Sequence, residues 1–149
     1  MKTFICQICK HVAFDEAPVD CPVCGMAIEN FDLKEALQKP SDPQNLNPTE
    51  MTHVPLIKVN RDCTFASESN CSGIHINIGN AEHVMESEHL IKFVDLYINK
   101  KYIARTTFTY NKLQPACSFH VNDREGKLRV IAYCNVHGYW TSRINLDEA

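Results

Sequence analysis

From about residue 55 onward, apolar and polar positions alternate along the chain. Ile74, Ile76 and Ile78 alternate with His75 and Asn77; Cys117, Phe119 and Val121 alternate with Ser118 and His120; Leu128, Val130 and Ala132 alternate with Arg129, Ile131 and Tyr133. A period of two is that of a strand with one face against a core. Further strand candidates at residues 55–59, 90–98 and 102–110 are divided by Asn, Asp, Gly and Ser clusters, so the chain is predicted to be mainly β, with an antiparallel sandwich over residues 51–149. Residues 29–39 read differently. Phe31, Leu33, Ala36 and Leu37 share roughly one helical face behind Asn30 or Asp32 as cap, which predicts a single short helix ending before Pro40. Pro40, Pro43 and Pro48 among polar residues then mark a linker without helix or strand over residues 40–50. The predicted organisation is a small domain at 1–39, the linker, and a larger domain at 51–149.

Composition narrows what such a protein does. The 149 residues are 44% apolar and 22% charged, which suits a small module joined to a medium one. A net charge of -3 and the lack of a Lys/Arg block argue against nucleic acid as a partner. The N-terminal MKTFICQICK has no apolar signal region and no membrane-length apolar run occurs, so a cytoplasmic, untargeted protein without membrane association is expected. There are eight cysteines and seven histidines. In a reducing compartment such cysteines point to metal binding or redox chemistry rather than to a disulfide framework.

Four of the cysteines form two knuckles, Cys6-Gln7-Ile8-Cys9 and Cys21-Pro22-Val23-Cys24. Each presents two thiolates from one turn, and two facing turns make a tetrahedral sulfur site for iron or zinc. Residues 4–33 resemble the short rubredoxin-like module of rubrerythrin-type proteins: an aromatic before the first knuckle, an acidic-Ala-Pro turn, and a Cys-Pro-x-Cys-Gly second knuckle. That resemblance implies iron at this site, with zinc as the alternative. It departs at Lys10, where rubredoxins carry glycine to reach a left-handed backbone; a side chain there costs on the order of 1 kcal/mol.

A second group lies in the sandwich region. Cys134 and His137, followed by Gly138, are placed like two ligands on one tight loop. His83 and His89 are six apart; on a straight strand they would stand about 20 Å from one another, so only a curled loop lets them share an ion. Any one of these histidines, or His53, reads first as a surface or hydrogen-bonded residue. Together, His53-Val54-Pro55, then His83-x-Met85-x-x-x-His89 before an apolar strand, then Cys134-Asn135-x-His137-Gly138-x-Trp140, are similar in order and separation to the superoxide reductases, the neelaredoxin and desulfoferrodoxin family. The resemblance spans about residues 52–140. It implies an immunoglobulin-like sandwich whose loops hold one mononuclear iron, with His53, His83, His89 and His137 as equatorial imidazoles and Cys134 as the axial thiolate. It further implies one-electron reduction of superoxide to hydrogen peroxide, two irons per chain, and re-reduction through the four-cysteine centre. An outside donor such as a rubredoxin or its reductase, and a homo-oligomer, are also expected.

Several positions depart from the family. His83-Val84-Met85 replaces His-Pro-Met. Met51-Thr52-His53 replaces Glu-Lys-His, so the lysine that draws in the anion is missing, and Glu50 stands one place too early for the family's glutamate. The second knuckle is CPVC rather than two adjacent cysteines. Cys63, Cys71 and Cys117 have no counterpart and read as small buried thiols. The missing lysine keeps open a non-enzymatic iron electron-transfer or redox-sensing protein, and the thiolates alone leave room for a structural zinc protein.

Overall fold

A computed structural model describes residues 1–61 and 70–148. Three short strands open the chain: β1 (Thr3–Cys6), β2 (Val12–Phe14) and β3 (Phe31–Leu33), in the order β2-β1-β3. There follow β4 (Leu37–Gln38), α1 (Pro48–His53), β5 (Pro55–Asn60), β6 (Ser72–Ile78), β7 (Ile91–Ile98), β8 (Lys101–Thr107), β9 (Ala116–Val121), β10 (Lys127–Cys134) and β11 (Gly138–Asn145). One sheet runs β4-β11-β10-β7-β8 and the other β5-β6-β9. All pairs are antiparallel except β4 with β11. The fold is the expected β-sandwich behind a small metal-site module. No described helix is long and apolar enough to cross a membrane.

The core follows the alternation. Ile74, Ile76 and Ile78 meet Leu128, Val130 and Ala132 between the two sheets. Strand β7 obeys a stricter rule because both its faces are covered: Val94, Leu96 and Ile98 join that core, whereas Phe93 and Tyr97 point the other way. On that outer face they meet Ile5, Val12 and Phe14 of the N-terminal sheet, together with Ile131 of β10 and Tyr139 of β11. The N-terminal module is therefore seated on the five-stranded sheet by apolar burial, and does not merely hang from the segment that follows it.

Three expectations are corrected. Residues 29–39 form no α-helix; Ile28–Asn30 is one 3-10 turn, and the chain then extends into β3 and β4. Phe31 is opposite Cys6 in the small sheet, and the Gln38 amide donates to the carbonyls of His137 and Tyr139 at 2.8 and 3.2 Å. These pairings override a weak helical pattern. The linker carries structure at its end, since α1 begins at Pro48, where proline's missing N–H is unneeded. Asn47 caps it: its side chain accepts from the Glu50 amide at 2.8 Å while Glu50 Oε1 accepts from the Asn47 amide at 2.9 Å, a capping box. The spare cysteines differ from one another. Cys117 is a half-buried free thiol packed against the core, whereas Cys71 is disulfide-bonded and not a thiol. Cys63 lies outside the described residues.

Gly79, just past β6, fixes where α1 sits. Its φ is +79°, and a Cβ there would stand 2.4 Å from the Met51 carbonyl oxygen. Its amide donates to Val54 O at 2.8 Å, and those of Asn80 and Ala81 donate to Met51 O. Gly79→Ala is expected to destabilise the protein by about 2 kcal/mol or more, through left-handed strain and displacement of the turn that carries His53. Urea unfolding checks this; a loss within experimental error would contradict it.

Candidate metal centres

Five donors from three segments meet at one end of the sandwich. The nitrogen and sulfur donor atoms of His53, His83, His89, Cys134 and His137 all lie within 4.8 Å of one another. His53 ends α1. His83 and His89 flank a tight return in which Glu86 and His89 pair as an isolated bridge, the curled loop their spacing demands. Cys134 continues the core-facing phase of Leu128, Val130 and Ala132, so its sulfur is fully buried. His137 lies in the β10–β11 hairpin turn, where Gly138 has a φ of +81° and pairs with Cys134. The register of β10 on β7 slips at Tyr133/Cys134, a bulge that turns the strand end toward the loop.

Backbone contacts decide which ring nitrogens face inward. His53 Nδ1 donates to Thr49 O at 2.7 Å and His83 Nδ1 donates to Val84 O at 2.5 Å. Both rings are thereby held as the tautomer whose bare Nε2 points at the site. These two Nε2 atoms stand 3.0 Å apart with no proton left to share. Two nitrogens at right angles on an ion about 2.1 Å from each would show that same separation. His89 Nε2 is buried with no hydrogen-bond partner. Cys134 Sγ lies 3.5 Å from His83 Nε2 and 3.7 Å from His137 Nδ1, and it accepts the His137 amide at 3.4 Å. A cluster of inward lone pairs, one of them orphaned, fits a cation bound by imidazole and thiolate.

Burial pulls the His53 and His83 imidazoles below their usual range, His83 to about 4, against the hydrogen bonds to their backbone carbonyls. The neighbouring histidines add to the effect. The rings are thus neutral and ready to coordinate at ordinary pH.

The four-cysteine group also closes. Cys6, Cys9, Cys21 and Cys24 bring their sulfurs within 4.8 Å, with Cys6 to Cys24 at 3.7 Å and Cys9 to Cys21 at 3.5 Å. The knuckles match each other: the Lys10 amide donates to Cys6 O and the Gly25 amide to Cys21 O, both at 2.9 Å. Lys10 has a φ of 67° and Gly25 of 79°, so the lysine does occupy a left-handed position. Burial pushes the Cys9 and Cys21 thiols up, and a bound metal would have to displace their protons.

The two groups adjoin. Tyr139, two residues after His137, donates its hydroxyl to Lys10 O at 2.7 Å, one residue after Cys9. The Tyr139 ring lies 4.7 Å from that of Tyr133, the neighbour of Cys134, tilted by 40°. A cavity of about 430 Å³ between them is lined by Gln7 and Lys10 on one side and Cys134 and Asn135 on the other.

Four residues here have roles that the sequence did not assign, although Asn135 and Trp140 stand in the motif of Cys134 and His137. Trp140 lies against the His53 ring at 5.2 Å and walls the site. Asn135 staples the His89 loop to the hairpin, accepting from Leu90 N at 3.0 Å and donating to Glu88 O at 2.9 Å. Asp95 and Arg105 form an ion pair beneath the N-terminal module. Of the other two, Asp95 in the middle of a largely apolar strand was the readable signal.

A family model described as Desulfoferrodoxin matches residues 45–143, and the chain belongs to that family. Among curated relatives, a desulfoferrodoxin of Syntrophotalea carbinolica is 29% identical over 129 residues, covering 82% of this chain and 91% of its own length. A superoxide reductase of Pyrococcus horikoshii is 28% identical over 107 residues, covering 64% and 87%. Among solved structures, the superoxide reductase of Nanoarchaeum equitans aligns with a TM-score of 0.56 at 28% identity, over 68% of this chain and 95% of that one.

The histidine shifts carry a pH consequence. An unfolded His83 takes up a proton near its ordinary value of 6.5, whereas the folded one refuses it until about 4. The unfolded state therefore holds the extra proton within that window. The contribution to stability is whole above 6.5 and is lost as pH falls toward 4. Urea unfolding of the metal-free protein is expected to show a steeper loss across this window than the His83→Gln variant; equal slopes would contradict the assignment.

Proposed function

We propose that this protein is an iron-dependent superoxide reductase, with His53, His83, His89, His137 and Cys134 as the metal ligands and Cys6, Cys9, Cys21 and Cys24 as the ligands of a second, rubredoxin-type iron. The observation that carries the reading is the inward set of four imidazoles backed by one buried thiolate. Iron held by these residues would supply the one electron that, with two protons, turns superoxide into hydrogen peroxide, and an iron held by the four thiolates would be the local source of the replacement electron. Cys134 would push electron density toward a bound ion, and the His137 amide, which donates to its sulfur, steadies the thiolate. The hydrogen bonds of His53 and His83 to backbone carbonyls hold their rings in place and would keep that orientation whatever the charge of a bound ion. His137 is exposed and Cys134 is buried, so a small anion would reach these donors from the His137 side. The Tyr139 contact with Lys10 supports communication between the two sites. A rubredoxin or its reductase is the class of outside donor.

Two substitutions relative to the family shape the approach of substrate. The Thr52 hydroxyl donates to Thr49 O at 3.0 Å and lies 2.9 Å from His53 Nδ1, so it braces the ligand and brings no charge. Glu50 is buried in the capping box and is not free to reach the ion. Lys58 lines a cavity of about 550 Å³ together with His83 and is the rival source of positive charge. The uncharged Thr52 also favours a second reading, in which the same iron exchanges electrons with a protein partner and does not react with superoxide.

Cys134→Ser is expected to abolish the sulfur-to-iron charge-transfer absorption and most superoxide reduction while leaving the four-cysteine absorption in place; an unchanged band would remove Cys134 from the ligand set. Thr52→Lys is expected to raise the second-order rate with superoxide by ~3- to 30-fold and to steepen its salt dependence, because a cation at the open side steers the anion. Pulse radiolysis at several ionic strengths checks this. A fast wild type with steep salt dependence and no gain in the variant would assign the steering to Lys58 or another cation, and no reaction in either protein would favour the second reading.

A further inference from the structure

Beneath the N-terminal module lies a polar cluster that the chemistry above does not use. Asp95, in the middle of β7, is 0% exposed. Arg105 of β8 grips it with two hydrogen bonds, Nε to Oδ1 at 2.6 Å and Nη2 to Oδ2 at 2.8 Å. The remaining arm of the guanidinium, Nη1, donates to the carbonyl oxygen of Cys9 at 2.9 Å. The Phe93 ring centroid lies 3.5 Å from Arg105 Cζ and fixes the plane. His11, 2% exposed, sits 3.2 Å from Asp95, and Tyr97 donates to Val12 O at 2.6 Å.

Charge and direction are the informative features. A buried ion pair is a weak source of net stability, because desolvation consumes most of the attraction. An apolar pair of similar volume could seat the module at least as well. This pair is instead oriented. Its anionic end is sunk in the sandwich and its cationic end, whose side chain is 12% exposed, is bonded to the backbone of one of the four clustered cysteines, where solvent screens it little. Four thiolates around a ferric ion carry one negative charge, and around a ferrous ion they carry one more. A fixed cation beside them favours the reduced form, and a fixed anion opposes it.

We infer that Arg105, held in place by Asp95 and Phe93, is a positioning residue of the sandwich that raises the reduction potential of the N-terminal four-cysteine site through its charge. The sandwich thereby sets how readily the adjoining module gives up its electron, and does so only when the two are docked through the Cys9 carbonyl. The inference rests on the reading that the four thiolates hold a redox-active iron.

The test is a spectroelectrochemical titration of the four-cysteine centre in the full-length, iron-reconstituted protein, with the absorption of the second centre as a check that each variant is folded. Arg105→Gln is expected to lower the potential and Asp95→Asn to raise it. Arg105→Lys keeps the charge without the fork and is expected to stay near the wild type. Shifts of opposite sign follow from charge, whereas loosened packing would move both variants the same way. Shifts of one sign in Arg105→Gln and Asp95→Asn, or equal shifts in Arg105→Gln and Arg105→Lys, would overturn the inference. A wild type without any reversible one-electron wave from this centre would instead remove the reading on which it stands, and the inference with it. If Asp95→Asn does not fold, the contrast between the Gln and Lys variants at position 105 decides alone.

Discussion

Four imidazole nitrogens and a sulfur, most of them buried, converge on one point, and a cation among them is what would offset the crowding of their lone pairs. His53 and His83 each donate their Nδ1–H in a hydrogen bond to a backbone carbonyl, so their Nε2 lone pairs confront one another at 3.0 Å, and His89 Nε2 has no partner among the described residues. A buried polar atom left unpaired costs roughly 1–3 kcal/mol, and several at one point would be ruinous without a cation. The rest of the sandwich end serves that convergence. Gly79 draws β6 against the turn that holds His53, Asn135 ties the His89 loop to the hairpin, and the bulge at Tyr133/Cys134 brings the sulfur to the back of the site.

The same strands that carry the site also receive the N-terminal module. Along β7, alternate residues face the sandwich core and the module, and β10 does likewise through Ile131. An ordinary sandwich turns one face of each sheet to water; here the five-stranded sheet is covered on both. That arrangement places the four cysteines beside the histidine site through Tyr139 and Lys10, and it sets the Asp95–Arg105 pair under the N-terminal module, against the Cys9 carbonyl. Packing and the hydrogen bonds that join the two donor groups therefore share one interface.

Much of this was legible in the sequence, for definite reasons. The alternation at Ile74 to Ile78 and at Leu128 to Ala132 survives because those strands have one face on the core. The C-x-x-C knuckles and the order of His53, His83, His89, Cys134 and His137 are sequence-local or family-specific. The structure brings these residues into two compact groups. Strand β11 was missed because Tyr139, Trp140 and Thr141 are all buried, which erases the period of two. Residues 29–39 were misread as helix because Phe31 and Leu37 owe their positions to partners far along the chain, Cys6 on one side and Tyr139 on the other. The grip of Arg105 on the Cys9 carbonyl spans two modules, and no local pattern announces it.

The central claim is that the five-donor site reduces superoxide without dismuting it. The most direct measurement is the product balance when the fully reduced protein is mixed anaerobically with a known dose of superoxide, following peroxide, dioxygen and the oxidation state of the iron together. The account predicts one hydrogen peroxide formed per superoxide consumed, one electron lost from the protein each time, and no dioxygen. Evolution of dioxygen in half the amount of the superoxide consumed, or disappearance of superoxide with the iron still reduced, would contradict it.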